Sequence, residues 1–138
     1  MKQTLLIITA LMLIVGCSES DAQTYQFANG FHDNGMVKEI KYHKKTRDGI
    51  ELVKGETYYS SGQKESEGTY KDGKKDGLHT EWYKNGQKRS EWTYKDGELD
   101  GLSTIWYKNG QKKYEKTYKD GSEGPIESTS WDKYGNKK

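Results

Sequence analysis

The chain is poor in the residues that usually hold a small domain together. It has a single cysteine, Cys17, which excludes an intramolecular disulfide framework. After Cys17 there are only ten Leu, Ile and Val residues against seventeen Phe, Trp and Tyr. Ordinary close-packed domains are rich in aliphatic side chains. A thick two-layer core is therefore not expected, and any core must be largely aromatic.

The chain also lacks a block of charge of one sign. Charged residues make up 32% of it, but they are interleaved and the net charge is only +2. Without a basic block, this balance does not predict nucleic-acid binding. High charge and few aliphatic residues are typical of disorder, but disordered chains are also poor in aromatic residues. Here the aromatic residues recur at a fixed interval, which favours a folded chain.

The N-terminal segment, residues 1–17, predicts export from the cytoplasm. One early lysine is followed by an apolar run from Leu5 to Val15, which is too short for a spanning helix and typical of a secretory signal. The run ends in Ile14-Val15-Gly16-Cys17, which resembles the lipobox of bacterial lipoproteins. That resemblance implies acylation of Cys17 as the first mature residue. A plain signal peptide and a buried N-terminal helix are the alternatives.

The resulting division is a signal peptide at 1–16, an acylated tether at 17–24 and a repeat domain at 25–138. Removing residues 1–16 takes away Lys2 and leaves 122 residues, with 22 basic and 21 acidic side chains and a net charge of +1. The acyl chains on Cys17 would anchor the protein to a membrane. The acidic tether CSESDAQ resembles the signals of surface-exported lipoproteins. We therefore expect a lipid-anchored protein of the cell envelope, at the outer membrane or cell surface rather than the inner membrane.

A repeat of 24 residues dominates the rest of the sequence. WYKNGQK at 82–88 returns at 106–112. The aligned copies occupy 55–73, 77–97 and 101–121, and two degenerate copies, at 31–42 and 131–138, flank them. Worn terminal units are typical of a stacked array. The predicted units lie near 31–54, 55–76, 77–100, 101–124 and 125–138.

Each unit contains two turn signals, Asn-Gly (or Ser-Gly) and Asp-Gly. Both dipeptides tolerate the positive φ angles of a type I′ hairpin turn. The runs between them carry the aromatic and β-branched residues that strands favour, and residues 55–121 show no helical spacing. The sequence therefore predicts an all-β fold, an open antiparallel meander of repeated β-hairpins.

Two-residue turns would fix the register. Around Asn85-Gly86, Tyr83 would face Lys88 and Trp82 would face Arg89. Around Asp96-Gly97, Lys88 would face Ile105 and Arg89 would face Thr104. Side chains alternate between faces and the period is even, so every unit presents the same residues on the same face. One face is predicted to carry Tyr59, Tyr83, Tyr107, Tyr70, Tyr94 and Tyr118. The other is predicted to carry Tyr58, Trp82, Trp106, Leu78, Leu102, Glu67, Glu91 and Glu115.

The pattern WYKNGQK…E..TYKDG closely resembles the variant MORN repeat of bacterial proteins, often described as the YwqK-type antitoxin family. The resemblance covers residues 55–124 well and the flanking units weakly. It is specific for the repeat class and implies a sheet of hairpins. Its implied antitoxin role inside the cell conflicts with the export signal, which leaves open an immunity protein that meets a delivered toxin in the envelope.

The sequence shows no catalytic constellation, and we expect a non-enzyme without cofactors. Asp96 to Gly101 looks like half a calcium loop, but the twelfth position is Tyr107. Equivalent glutamates lie about 9.5 Å apart, the far limit for a glycosidase pair, so salt links, for example from Arg89 or Lys113, are the better reading. The three histidines share no ligand spacing, and no metal site is predicted. They are His32, His43 and His79.

Three functions remain open. The first is a protein-interaction module, of the immunity or antitoxin-like kind, because exposed aromatic and basic residues are typical of interface hot spots. Its candidate contact residues are Trp92, Tyr114, Trp82, Trp106, Tyr83 and Tyr107. Trp92 and Tyr114 are the stronger candidates, since other units carry Ser, Lys or Gly there. The alternative is a cell-wall or glycan-binding module that stacks rings on sugars. Direct contact of the repeats with lipid comes third, because a charge of +1 gives little attraction to anionic lipid.

Overall fold

The computed structural model describes residues 24–138, and the predicted signal peptide and Cys17 lie outside these residues. The described residues contain strands and turns but no helix. The strands are β1 (Thr24–Ala28), β2 (Glu39–Lys45), β3 (Ile50–Tyr58), β4 (Lys64–Lys71), β5 (Lys74–Trp82), β6 (Lys88–Lys95), β7 (Glu98–Leu99), β8 (Gly101–Trp106), β9 (Lys112–Tyr118) and β10 (Glu127–Ser130).

All ten strands form one antiparallel sheet that does not close on itself. Its order is β1-β2-β3-β4-β5-β6-β8-β9-β10, and the short β7 pairs with β6. Neighbours in sequence are thus neighbours in space, as a meander requires. The predicted all-β fold, an open sheet of repeated hairpins, is confirmed.

The Asp-Gly turns have the predicted conformation. Asp72 and Asp96 have φ of 50°, and the glycines that follow them, Gly73 and Gly97, have φ of 75° and 93°. Positive φ at both central residues is what a type I′ turn needs. The pairs Lys71↔Lys74 and Lys95↔Glu98 flank these turns directly.

The Asn-Gly turns differ from the prediction. Tyr83 N–H donates to the Gln87 carbonyl at 2.8 Å, and Gly86 N–H donates to the Tyr83 carbonyl at 2.9 Å. Gly86 has φ of 82°, while Asn85 is not among the residues with positive φ. The loop therefore has three residues, a turn followed by a left-handed glycine, rather than the two-residue type I′ turn expected.

Within residues 24–138 this three-residue turn occurs five times. The same pair of backbone hydrogen bonds closes the loops that begin at His32, Tyr59, Tyr83, Tyr107 and Asp132. The two degenerate stretches thus fold into the same turn as the three regular units.

The predicted register is wrong close to the turns. Trp82 faces Lys88 rather than Arg89, because the longer loop is followed by a β-bulge. Ile105 faces Ser90 and Thr104 faces Glu91, two residues from the prediction. A second bulge, next to the Asp-Gly turn, causes this shift. A shift of two residues keeps each side chain on its face, so the predicted division of the strand residues into two faces agrees with the observed pairing, except that the one-residue shift at the loop places Lys88 on the face of Trp82 rather than of Tyr83.

The core of the sheet is polar at its most buried points. Among the described residues no hydrophobic side chain is fully buried. The buried side chains are Glu56, His79, Thr80, Ser90, Ser103 and Thr104. Of these, His79 meets the rings of Tyr70 and Tyr94 edge-on, and both tyrosines stay half-exposed.

Candidate interaction surfaces

The two faces of the sheet differ in how their charges are paired. We call them the ladder face, which carries Trp82 and Trp106, and the histidine face, which carries His79, Trp92 and Tyr114. Directly paired residues in adjacent strands share a face, and the pairs Trp82↔Lys88 and His79↔Trp92 fix the two sets.

One lysine in each regular unit, on the ladder face, lies between a carboxylate and an aromatic ring. Lys64 Nζ is 2.8 Å from Glu67 Oε2 and 5.9 Å from the centre of the Trp82 ring. Lys88 pairs with Glu91 in the same way, and its ammonium lies 5.8 Å from the Trp106 ring. The third member is Lys112, between Glu115 and Trp131. Predicted salt links to the glutamates therefore exist, but from different lysines.

The two basic residues named in that prediction lie elsewhere. Arg89 Nη1 is 3.6 Å from Glu81 Oε2 on the histidine face. Lys113 forms no ion pair within residues 24–138, and its ammonium lies over the rings of Tyr107 and Tyr114, at 5.6 Å and 5.3 Å.

Glu56 is the centre of a cluster on the ladder face that the sequence did not reveal. Its carboxylate accepts hydrogen bonds from Tyr42 Oη at 2.7 Å and Tyr58 Oη at 2.6 Å. Lys64 and Lys54 lie 2.8 Å and 2.9 Å from the same carboxylate. Burial by itself would raise the pKa of Glu56, but the hydrogen bonds from both lysines and both tyrosines outweigh it and hold the pKa well below its usual range.

A sequence signal for this cluster exists in the alignment of the repeats. Glu56 occupies the position that Thr80, Thr104 and Thr129 fill in the other units, and Lys54 stands where the next units have leucine. A residue that departs from the repeat at a buried strand position indicates that its unit has a local structure that the other units lack. Its geometry gives it a structural role, because the carboxylate is fully occupied by four donors.

His79 occupies the centre of the opposite face. Its Nε2–H donates to the Thr69 carbonyl at 2.8 Å, and its ring meets the rings of Tyr70 and Tyr94 edge-on, with centroids 5.4 Å and 5.0 Å away. The ring lies over Gly68, where any Cβ would overlap it. Burial lowers the pKa of His79, more than the bond to Thr69 raises it. A shallow groove of about 180 Å³ runs beside it, with Trp92 and Glu81 in its lining.

The surface around Tyr114 combines an aromatic ring with two lysines. Lys113 and Lys116 both lie over the Tyr114 ring, each at 5.3 Å from its centre. Within the described residues neither lysine forms an ion pair, in contrast to the lysines of the ladder face. This part of the histidine face is therefore aromatic and basic at once.

The six predicted contact residues do not form one patch. Trp82 and Trp106 lie on the ladder face, where lysines cover their rings, while Trp92 and Tyr114 lie on the histidine face. Tyr83 and Tyr107 begin the three-residue turns. All six are half-buried. Cys17, the predicted lipidation site, lies outside the described residues.

Tyr83 and Tyr107 have a structural contact that explains their recurrence. Tyr83 Oη donates to the Trp106 carbonyl at 2.8 Å, and Tyr107 Oη donates to the Trp131 carbonyl at 3.1 Å. Tyr59 makes the same bond to Trp82 at 2.6 Å. Each of these three units thus donates one tyrosine hydroxyl to the backbone of the next unit.

Asparagine side chains make a second bond of the same kind. Asn85 Nδ2 donates to the Lys108 carbonyl at 2.9 Å, and Asn109 Nδ2 donates to the Lys133 carbonyl at 2.8 Å. The last turn has Asp132 and Tyr134 where these donors stand in earlier units. Asp132 instead accepts bonds from Tyr134 N–H and Asn136 within its own loop.

The part of the chain that the structure describes contains no candidate metal centre. No three or more His, Cys, Asp or Glu side chains in residues 24–138 are placed to hold a metal ion. Residues 24–138 also contain no helix that could span a membrane.

Comparison with known families identifies the repeat. The family model described as the MORN repeat variant matches residues 53–72, 75–96 and 99–120. Each match contains one hairpin with its three-residue turn in the middle. The chain therefore contains three consecutive variant MORN repeats in a sheet of hairpins. No curated protein and no solved structure matches the chain.

Proposed function

We propose that this protein is a non-catalytic lipoprotein of the cell envelope whose repeat sheet binds a protein partner. Cys17 carries the acyl anchor, and the contact surface is the aromatic and basic part of the histidine face around Trp92 and Tyr114. The lipobox-like end of the N-terminal apolar run supports the anchor. Variant MORN repeats support an interaction role.

One observation carries the assignment of the surface. Lys113 and Lys116 lie over the Tyr114 ring and pair with no carboxylate in residues 24–138, whereas Lys64, Lys88 and Lys112 on the ladder face pair with glutamates. Tyrosine and tryptophan are enriched at interface hot spots. A partner that supplies carboxylates and apolar contact to this surface would complete it.

The partner in this proposal is of the toxin kind, and the protein acts as an immunity or antitoxin-like factor in the envelope. This finer part rests on the resemblance of WYKNGQK…TYKDG to the antitoxin repeats together with the export signal. A toxin reading frame next to this one, whose product is neutralised by the anchored protein, is the expected finding. Unchanged toxicity in its presence would remove the immunity role and leave the interaction surface intact.

The interaction surface is tested by quantitative capture. The tagged full chain is cross-linked in envelope extract, and its captured proteins are compared with those of Trp92→Ala and Tyr114→Ala. Tyr134→Ala is the matched control, because Tyr134 is 74% exposed and lies in the last turn. Loss of a hot-spot ring costs about 2 kcal/mol, or roughly thirtyfold in affinity.

The expected result is one protein enriched by the parent chain and by the control variant, and lost in both test variants. Equal capture by all four proteins would remove the proposal. Retention on purified peptidoglycan that depends on Trp92 and Tyr114 would favour the glycan-binding alternative instead. Circular dichroism of each variant ensures that the loss of capture does not reflect loss of the fold.

A further inference from the structure

The turns line the two sides of the sheet where the strands end, and we call these sides its edges. Each edge carries a row of lysines at equivalent positions of successive turns. The Asn-Gly row consists of Lys84, Lys108 and Lys133, one at each of the last three of the five three-residue turns, whereas the first two turns have Asp33 and Ser60 at this position. The Asp-Gly row consists of Lys71, Lys95 and Lys119, one before each Asp-Gly turn on the opposite edge. All six side chains are exposed. The two rows therefore have the same repeat but different surroundings.

The surroundings give the two edges opposite charge. Each lysine of the Asp-Gly row is followed directly by an aspartate, and the segments 70–77, 94–101 and 118–124 hold five basic and seven acidic residues, a net charge of −2. The segments 83–89, 107–113 and 132–138 hold nine basic and one acidic residue, a net charge of +8. The single acid, Asp132, is occupied by hydrogen bonds within its own loop.

Hydrogen bonds between units fix the spacing of the Asn-Gly row. The amide of Asn85 holds the backbone of Lys108, and the amide of Asn109 holds the backbone of Lys133. Successive lysines are two strands apart, which is about 9.5 Å. In the described residues, Lys84, Lys108 and Lys133 form no ion pair. The row thus presents cations without a carboxylate partner at a regular interval, and two of them, Lys84 and Lys133, lie over the rings of Tyr59 and Tyr134.

We propose that the Asn-Gly row binds an extended acidic segment of a partner protein, with a carboxylate at every third residue. A polyproline II segment has three residues per turn and rises about 9.3 Å per turn, so such carboxylates would align on one side at nearly the interval of the row. The mismatch over three lysines is below about 1 Å, which flexible lysine side chains absorb. Affinity for an anionic lipid surface would depend on the number of lysines and not on their spacing.

The three lysines of this row do not contact Tyr114, although Lys113, which lies over the Tyr114 ring, belongs to one of the segments counted above, and the inference goes beyond the proposed function. It assigns a second contact, which recognises the spacing of carboxylates in an extended segment of the partner. Its test is therefore independent of the capture experiment, and Tyr114→Ala should bind the acidic peptide as the parent chain does.

The test measures binding of labelled peptides to the full chain in neutral detergent by fluorescence anisotropy. One peptide consists of Glu-Pro-Pro repeats, and a second has the same composition with its glutamates clustered. The row is removed by the triple change Lys84→Ser, Lys108→Ser and Lys133→Ser. Serine is tolerated there, because Ser60 fills this position in the first regular unit.

The matched control is Lys71→Ser, Lys95→Ser and Lys119→Ser, which removes the same charge at the same spacing from the other edge. We expect the first triple variant to bind the periodic peptide about tenfold more weakly, since three ion pairs are lost. The control should stay within about twofold of the parent chain, and binding should weaken with salt. The clustered peptide should bind more weakly than the periodic one.

Four outcomes would overturn the inference. Absence of peptide binding refutes it directly. Equal loss in both triple variants means that only net charge matters, and equal affinity for both peptides means that spacing does not. Binding of vesicles rich in anionic phospholipid that requires the Asn-Gly row, without binding of the peptide, would assign the row to a lipid surface instead.

Discussion

Gly68→Ala tests whether the centre of the sheet depends on one close contact. Gly68 lies under the His79 ring, and an alanine Cβ there would come within 2.5 Å of His79 Cγ and closer still to other ring atoms. The backbone of Gly68 does not have a positive φ, so alanine is tolerated conformationally. Any destabilisation must therefore come from the ring.

The expected cost follows from what the ring loses when it moves. The bond from His79 Nε2 to the Thr69 carbonyl is worth about 1 kcal/mol. The edge-on contacts with Tyr70 and Tyr94 are worth about 0.5–1.5 kcal/mol each. Overpacking of a filled site costs about 1–3 kcal/mol. These overlapping contributions predict that Gly68→Ala lowers the free energy of unfolding by about 2–4 kcal/mol.

A double-mutant cycle with His79→Ser isolates the contact. Serine is the residue at the equivalent position of the next unit, Ser103. In the His79→Ser background, Gly68→Ala should be neutral or stabilise by about 0.5 kcal/mol, because alanine restricts the unfolded chain. The two changes should therefore couple by at least about 2 kcal/mol.

Urea unfolding followed by tryptophan fluorescence provides the assay, with amide exchange as a local check, since repeat arrays need not unfold in one step. Additive effects of the two substitutions would refute the reasoning.

The pH dependence of stability provides a second test of the role of His79. Because burial holds the pKa of His79 below its unfolded value of about 6.5, the unfolded state takes up the proton first and stability falls as pH drops below that value. His79→Ser should remove this part of the slope.

Two further predictions concern the bonds between units and the buried carboxylate. Tyr83→Phe removes the hydroxyl that binds the Trp106 carbonyl and should lower the free energy of unfolding by about 1 kcal/mol; Tyr134→Phe, in the last turn, should change nothing, and equal effects would contradict the structural role. Glu56→Gln should cost about 2 kcal/mol at neutral pH, a value reduced because the lysine partners are partly exposed. Since the pKa of Glu56 is depressed in the fold, its stabilisation is lost as pH falls below about 4.3. The difference between the parent chain and Glu56→Gln should therefore shrink in acid, and a constant difference in urea titrations would speak against the cluster.

The sequence determined the fold class and the division into two faces. The interval of 24 residues is even, and side chains alternate with a period of two, so each unit must repeat the face assignment of the one before. The Asp-Gly turns also followed from sequence alone, because the two positive φ angles are a local backbone property of these residues. Such local and periodic features need no knowledge of neighbouring units.

The tertiary structure decided the rest, starting with the Asn-Gly turns. Asn85 is placed there for its amide, which binds the backbone of the following unit at Lys108, and not for a positive φ. That bond joins residues 23 positions apart, so a dipeptide rule cannot anticipate it. Three other features likewise arise only when adjacent strands and hairpins pair. They are the bulges that adjust the register, the buried Glu56 carboxylate and the close contact of the His79 ring with Gly68. Sequence periodicity fixes which side chains share a face, whereas contact between hairpins fixes which of them meet.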